Sequence, residues 1–491
     1  NPEDVKHFTA ELLSGEYVSL SSGDKPAAPD YMPGFYKWLQ DSRLPFSENA
    51  KLRISLAAKP ISGNAEHLVF QIAPDFSVKN IAVGVGCERG TDPEELITLV
   101  RNTLQENNIS PERVAVVVSL DLKADEPAVH AVAKNLECSV RFFDAATLEA
   151  LTPKLKNPSE IVFQEVGCHG VAEGAALAAV GDSGILLVPK VKSSGKSGAG
   201  RATCAIAESA EFLDPQMIGR AQGTLFIVGT GPGTPQWRLP ESEKMLRKAT
   251  DWVGYGLYLD LISDLHNGQK QHRFDLGQEE VRVRHALKLA AQGKTVALIS
   301  SGDPGIYAMS SLVFELLETG KSGGVSAKSC AKDNSVAEWQ RIHVEATPGI
   351  SALQAASARI GAPLGHDFCT ISLSDLLTPW ETIERRIRAA AEGDFVIAFY
   401  NPVSRRRTTQ LVRAQEILLK HRPAETPVIF ARNLGRDEEK VKVVSLENLD
   451  PAQVDMLTVV LVGSSQTRLL ELPNGEVKIY TPRGYDQKSK N

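Results

Sequence analysis

Residues 225–233 read Leu-Phe-Ile-Val-Gly-Thr-Gly-Pro-Gly, an apolar strand that runs straight into a glycine turn, and the strand Thr295–Ser300 runs into Ser-Gly-Asp-Pro-Gly at 301–305. A short apolar run bounded by glycine reads as a buried strand of a sheet covered on both faces. Glycine has no Cβ, so the main chain at such a strand end can approach a small ligand at contact distance. Two of these turns in one segment place a small-molecule site at the ends of a sheet.

The surrounding pattern is that of an α/β chain. From Asn80 onward, strands (Ile81–Val85, Val114–Ser119, Val140–Phe143, Thr203–Ala207) alternate with helices over Pro93–Asn107, capped by Asp92, and over Glu126–Leu136. The alternation predicts a largely parallel sheet. It restarts with strands at Thr224–Val228, Thr295–Ser300, Arg341–Glu345, Cys369–Ser372, Phe395–Tyr400, Val428–Arg432 and Leu457–Val462. Residues 1–77 are irregular in pattern. Lys192–Arg201, rich in Ser, Gly and Lys, reads as a mobile loop, and 319–338 as a polar surface insertion. Glu208–Gln222 carries little apolar periodicity. The expected division is 1–78, 79–208, a linker 209–222, two lobes 223–345 and 346–470, and a peripheral tail 471–491.

At 491 residues the chain exceeds a single core. A net charge of −6 argues against a nucleic-acid partner, whose binding rests on phosphate neutralisation. No apolar run approaches the roughly 20 residues of a membrane span. The six cysteines form no C-x-x-C pair, which fits a reducing cytoplasm and no cysteine metal site. The chain starts at Asn1 and not at Met, and further sequence upstream is expected.

Gly229-Thr-Gly231-Pro-Gly233 is no dinucleotide fingerprint, because Thr234 stands where the third glycine belongs and Pro232 and Pro235 interrupt an immediate helix. It acquires meaning with the motifs that follow in order. These are Ser300-Ser-Gly-Asp-Pro-Gly-Ile-Tyr307, Thr347-Pro-Gly-Ile-Ser-Ala352, Ile371-Ser-Leu-Ser-Asp-Leu-Leu-Thr-Pro-Trp380, Tyr400-Asn-Pro-Val-Ser404 and Asp455-Met-Leu-Thr458. Together they resemble the tetrapyrrole (class III) methyltransferases that use S-adenosylmethionine. Gly361-Ala-Pro-Leu-Gly-His-Asp367, followed by the Ser-Asp-Leu-Leu-Thr-Pro-Trp run, is similar to the precorrin-3B C(17)-methyltransferase or cobalt-factor III branch.

The resemblance implies two α/β lobes with the cofactor bent into the cleft between them. It places Gly231, Pro232, Gly233, Ser301, Gly302, Asp303, Tyr307, Ser351, Ala352, Leu373, Tyr400, Asn401 and Thr458 at the cofactor, some through backbone atoms alone. Asp303 is either a charged contact or a turn-former. Methyl transfer is an in-line displacement that positioning accelerates without a nucleophilic side chain. The ring contraction implied by the family moves a proton, and His366, Asp367 and Asp375 are the matched candidates. Their alternatives are structural: Asp375 as a helix cap, His366 as a satisfied core histidine. Arg405, Arg406 and Arg407 are either a solvated face or forks for the carboxylates of a corrin precursor.

The first half has its own signature: Gly84-Val-Gly-Cys-Glu-Arg-Gly-Thr91, Ser119-Leu-Asp-Leu-Lys-Ala-Asp-Glu-Pro127, Val166-Gly-Cys-His-Gly-Val-Ala-Glu-Gly174, Lys190 and Ala202-Thr-Cys-Ala-Ile-Ala207. Over residues 79–208 it resembles the C-terminal domain of cobalt-precorrin-5A hydrolase, and 1–78 resembles part of that enzyme's middle region. The expected architecture is an N-terminal α/β hydrolase-like domain plus a two-lobed methyltransferase. Lactone opening with release of acetaldehyde needs a base and an oxyanion partner. Glu126 and Glu173 are the catalytic candidates, beside Glu88 and Lys123, with helix capping and salt bridging as the alternative for Lys123 and Glu126. His169 beside Cys168 lacks ligand spacing, so cobalt enters only as part of the substrate. The resemblance further implies a tetrapyrrole partner and a homodimer through the methyltransferase part. Two rival readings are a non-catalytic tetrapyrrole-binding N-terminal half and a nucleotide-dependent oxidoreductase.

Overall fold

The computed structural model describes residues 2–22, 25–26, 47, 50–57, 67–71, 79–195, 198–318, 335–404 and 406–485. The chain divides into two compact units, Asn1–Gln222 and Gly223–Asn491.

The first unit begins with helix Pro2–Leu13 and strands β1 (Val18–Ser22), β2 (Lys25–Pro26), β3 (Leu52–Ala57) and β4 (His67–Gln71), in the order β2-β1-β3-β4. Phe8 and Leu12, one helical turn apart, pack on Val18, Leu52 and Ile54. A second sheet follows, built from β5 (Ile81–Cys87), β6 (Val114–Leu120), β7 (Ser139–Phe143), β8 (Ile185–Gly195) and β9 (Gly198–Glu208), in the order β7-β6-β5-β9-β8. Strands β5, β6 and β7 are parallel, whereas β9 is antiparallel to both β5 and β8. The pleat sends Ile81, Val83 and Val85 into one core with helices Pro93–Glu106 and Pro127–Asn135. Ala82, Val116 and Val118 face the other way, towards the alanine-rich helix Val171–Val180.

That helix lies on the strand backbone itself. A Cβ at Gly84 would stand 1.9 Å from the Ala172 carbonyl oxygen and 2.8 Å from the Ala176 nitrogen. Gly84→Ala is therefore expected to destabilise the unit by about 2–3 kcal/mol, the cost of overpacking a tight contact. Urea unfolding followed by circular dichroism checks this, and an unchanged midpoint would refute the contact.

The second unit holds two sheets and a small third one. The first comprises β10 (Thr224–Gly229), β11 (Asp251–Tyr255), β12 (Lys270–Phe274), β13 (Thr295–Ser300) and β14 (His343–Ala346), all parallel, in the order β12-β11-β13-β10-β14. The small sheet joins β15 (Gly361–Ala362) to two strands near the chain end, introduced below. The other large sheet comprises β16 (Phe368–Ser372), β17 (Val396–Tyr400), β18 (Pro427–Arg432), β19 (Lys440–Ser445) and β20 (Thr458–Val462), in the order β16-β17-β20-β18-β19, with only β16 and β17 parallel. Ile397 and Phe399 enter one core and Ala398 the other, so both faces are covered.

Three sequence expectations are corrected, and a fourth falls largely outside the described residues. Lys192–Arg201 is no loop: on either side of 196–197, which lie outside the described residues, the chain forms the β8–β9 hairpin, with Ser194 opposite Ala199. Serine and glycine content concealed strands whose partner is adjacent in sequence. Residues 209–222 are not a free linker. Leu213 and Ile218 are buried, Arg141 donates from Nε to the Ile218 carbonyl at 2.6 Å, and Arg220 pairs with Asp121. The tail is not peripheral, because β21 (Arg468–Glu471) and β22 (Val477–Tyr480) complete the small sheet with β15, and Ile479 is fully buried. The insertion at 319–338 falls outside the described residues up to 334. Its last residues lie on the helix Ser335–Trp339, where Ala337 and Glu338 are exposed and the following Trp339 is buried.

Candidate functional site

Parallel strands end together, so the turns after β10, β13 and β14 meet at one edge of the first sheet. Gly229 is opposite Ser300, and the chain beyond them forms a two-residue bridge: Gly302 N–H donates to the Gly231 carbonyl at 2.7 Å, and Gly231 N–H to the Gly302 carbonyl at 3.3 Å. Gly231 and Gly302 take φ of +73° and +69°, a region open to glycine. The turn after β14 is pressed against this bridge, since a Cβ at Gly349 would stand 2.0 Å from the Gly302 oxygen. Ser242, unremarked in the sequence, fixes the arrangement by donating from Oγ to the Gly229 carbonyl at 2.8 Å and meeting Thr347 Oγ1 at 2.9 Å.

Asp303 acts as the turn-former. Its carboxylate accepts the Gly305 N–H at 2.7 Å and the Gly349 N–H at 3.2 Å, tying the second turn to the third.

The second sheet brings Ser372 opposite Tyr400 at its own edge. Buried Leu373 donates its N–H to the Tyr400 carbonyl at 2.9 Å. The Tyr400 hydroxyl meets Ser351 Oγ and accepts the Leu353 N–H at 3.1 Å, at the start of the helix Ala352–Ile360. Burial raises the Tyr400 pKa. Tyr307 reaches across from the first sheet, donating to the Thr370 carbonyl at 2.9 Å, and its ring lies 5.3 Å from that of Tyr400. Tyr307 and Asn401 both have φ of +51°. A bulky residue held there costs about 1–3 kcal/mol, and such strain gathers at functional sites. Asn401 Nδ2 donates to Ser372 Oγ at 3.1 Å. Buried Thr458 donates from Oγ1 to Asp455 at 2.7 Å, and Arg432 Nε donates to the other oxygen of that carboxylate at 2.7 Å. Burial alone would raise the Asp455 pKa, but these bonds outweigh it and hold it below the ordinary value.

Sequence reading missed Arg436. It crosses to the first sheet's turns, where Nε donates to the Pro232 carbonyl at 2.8 Å and Nη2 to Ser301 Oγ at 2.9 Å. Gly233 is packed against it, since a Cβ there would stand 2.4 Å from Arg436 Cγ. A contact spanning 204 positions leaves no local trace in sequence.

Two of the other candidates are displaced. His366 and Asp367 precede β16, at the edge opposite the turns, and both are exposed. A strand rises about 3.3 Å per residue, so the length of β16 separates them from Ser372 by roughly 16 Å. His366 Nδ1 accepts the Asp367 N–H at 2.8 Å, a local contact. Asp375 is on the correct edge, exposed, and accepts from Gln410 Nε2 at 2.9 Å. Arg407 is buried, with Nε donating to the Asn401 carbonyl at 2.9 Å and Nη1 to Ser374 Oγ at 3.3 Å, so it supports the edge from within. Arg406 is exposed, and Arg405 lies outside the described residues.

In the first unit, Glu126 and Glu173 are buried acceptors. Glu126 does not cap its own helix but turns to the Gly90 N–H at 3.2 Å, with Arg89 at 3.7 Å. Glu173 accepts N–H groups from Lys156 at 2.7 Å, Asn157 at 3.1 Å and Lys190 at 2.8 Å, and the Asn157 amide at 2.8 Å. Burial pushes its pKa up, yet the four donors prevail and hold it below the ordinary value. His169 pairs with Glu149 at 2.9 Å and faces Glu160 at 3.3 Å, and the bond to Glu149 foremost raises its pKa. Among the described residues no group of three His, Cys, Asp or Glu side chains could hold a metal ion, and no helix is long and apolar enough to cross a membrane.

Residues 224–328 and 329–450 match the family model of the tetrapyrrole (corrin/porphyrin) methylases, and 81–207 that of the cobalamin synthesis G C-terminus. A precorrin-3B C(17)-methyltransferase of Sinorhizobium is 44% identical over 263 residues, 54% of this chain and 97% of that protein. The chain belongs to the tetrapyrrole methylases. This family uses S-adenosylmethionine, and the second unit is a methyltransferase dependent on it. The cobalamin biosynthesis protein CobIJ of Mycobacterium bovis is 41% identical over 54% of this chain, which spans 49% of that longer protein. Among solved structures, the methyltransferase CobJ is 41% identical and covers 53% of this chain and 100% of its own, with a TM-score of 0.47.

Proposed function

We propose that the second unit methylates carbon 17 of precorrin-3B or cobalt-factor III and contracts the macrocycle. The observation that carries this reading is the 44% identity across 97% of a curated enzyme named for that reaction.

The residues present fit the cofactor. Three glycine turns leave backbone N–H and C=O groups at one edge, and Ser300 Oγ is buried there without a partner. Tyr307 is 49% exposed beside Tyr400, and aromatic faces attract a sulfonium as they attract other cations. S-adenosylmethionine supplies the methyl group when bound. The turns of residues 229–233, 300–305 and 347–352 would hold and orient it, and Leu373, Tyr400, Asn401 and Thr458 would line the facing edge. Asp375, exposed on that edge, is the residue we assign to proton movement in the contraction. Incubation with labelled S-adenosylmethionine and metal-free or cobalt-loaded substrate, followed by mass analysis, is expected to show one methyl gained. An unmodified macrocycle under both conditions would overturn the reading.

We take residues 79–208 as a domain of the cobalt-precorrin-5A hydrolase type that binds the tetrapyrrole without opening a lactone through Glu126 or Glu173. The engagement of both carboxylates by N–H donors supports this over the catalytic reading. The boundaries at 1–78, 79–208, 223–345 and 346–470, a homodimer through the methyltransferase part, and a cytoplasmic location remain part of the proposal. They rest on the resemblance, and light scattering tests the dimer.

A further inference from the structure

The turns after β11 and β12 form a second corner of the same edge, bordering the glycine turn after β13. In the strand order β12-β11-β13, Tyr255 is opposite Phe274 and Gly254 opposite Ile299, so Tyr255, Asp275 and Ser300 are neighbours at the carboxyl ends. Two arginines converge there. Arg282, on the helix Glu279–Ala291, is 3% exposed and donates from Nη2 to the Asp275 carbonyl at 2.9 Å, while its Nε is buried without a partner. Arg436 arrives from the other sheet and rests on Pro232 and Ser301.

Neither cation has an ion pair among the described residues. Of the acids that follow Arg436 in sequence, Glu438 faces Arg432 at 3.6 Å and Glu439 is held by Arg359 at 2.6 Å, while the adjacent Asp437 is exposed. Glu279, one turn before Arg282, acts on it only at longer range. Both arginines act on the hydroxyl of Tyr258, whose ring meets that of Tyr255 edge-on at 5.2 Å. Two guanidinium groups beside one aromatic pair, one of them with a buried and unpartnered Nε, make a positively charged corner without an ion pair among the described residues. A buried cation without a counter-charge is costly, and a carboxylate relieves it through charge-assisted bonds.

We propose that Arg282 and Arg436, with Tyr258, bind an aliphatic carboxylate of the ligand, which on the proposed function is an acid side chain of the tetrapyrrole. Arg436 thereby orients the macrocycle beside the turn that carries Pro232 and Gly233. The inference rests on the methyltransferase reading, and its test separates the two. Uroporphyrin III, a tetrapyrrole polycarboxylate, is titrated by fluorescence and S-adenosylhomocysteine by calorimetry, on the full chain and on Arg436→Gln and Arg436→Lys.

Arg436→Gln is expected to weaken uroporphyrin III binding at least roughly tenfold, the usual scale for one charge-assisted pair. S-adenosylhomocysteine binding should weaken by clearly less than uroporphyrin III binding, since Arg436 touches the glycine turns only at Pro232 and Ser301 and the other turn contacts remain. Arg436→Lys, which keeps the charge and loses the fork, should fall between wild type and Arg436→Gln. It carries the test if the glutamine variant does not fold. Equal uroporphyrin III affinity by all three proteins at every site resolved in the titration overturns the assignment. Loss confined to S-adenosylhomocysteine also overturns it, giving the carboxylate to the amino-acid head of the cofactor. A wild-type chain that binds no uroporphyrin III overturns the tetrapyrrole reading itself.

Discussion

Gly349→Ala is expected to weaken S-adenosylhomocysteine binding by about 100-fold and to remove methyl transfer, because a misplacement of about 1 Å at a positioned site costs that much. The added Cβ would stand 2.0 Å from the Gly302 oxygen, 2.8 Å from the Gly302 carbon and 3.2 Å from the Gly229 carbon. All three atoms are backbone, so no side-chain rotation relieves the contact. The turn must move, and its movement is transmitted. Gly302 is bridged to Gly231, and Asp303 holds the Gly349 N–H directly. Ser301, in the same turn, carries a contact with Arg436. Gly268→Ala is the control: it has φ of +87° and nothing within 4 Å, so it incurs backbone strain far from the turns. Calorimetry on both variants separates the cases. Binding retained in Gly349→Ala, with only a lower melting temperature, would mean that the three turns are scaffold and not cradle.

The glycine turns were legible in sequence because their chemistry is local. A strand of β-branched and apolar residues ending in Gly-x-Gly announces both a buried strand and a close backbone approach. The order of Ser300–Tyr307, Thr347–Ala352 and Tyr400–Ser404 then fixed their company. Strands β11 and β12 went unread for a physical reason. Asp-Trp-Val-Gly-Tyr and Lys-Gln-His-Arg-Phe lack an apolar run, since β12 is an edge strand whose residues are half-buried or exposed. The β8–β9 hairpin was hidden by serine and glycine. Long-range contacts were illegible altogether. Nothing near Arg436 in sequence indicates that it meets Pro232, whereas the strand read at Cys369–Ser372 already separated His366 from Ser372. Residue type proposed acids and bases correctly as chemical groups, but only strand direction says which end of the sheet they occupy.

Glu173 shows the same distinction in energetic form, and its replacement carries the largest expected loss of stability. As a catalytic base it would need a free lone pair and a pKa near the working pH. It has instead four N–H donors on two oxygens, joining the chain at Lys156 and Asn157 and strand β8 at Lys190 to the helix Val171–Val180. Lys190 closes the loop by donating from Nζ to the Asn157 carbonyl at 2.6 Å. Glu173→Ala leaves those donors buried and unpaired, and the expected cost is about 3–5 kcal/mol. Glu173→Gln keeps the volume but turns an amide NH2 towards two of the donors, so it should cost nearly as much. The pH dependence has a definite sign. Because the folded pKa is below the ordinary value, the stabilisation is fully present above the ordinary carboxylate range and is lost as pH falls through the folded value. Denaturant unfolding of wild type and Glu173→Gln at neutral pH and in acid should therefore show a gap that narrows with acidification. A glutamine variant as stable as wild type at neutral pH, yet defective in acetaldehyde release, would return Glu173 to catalysis.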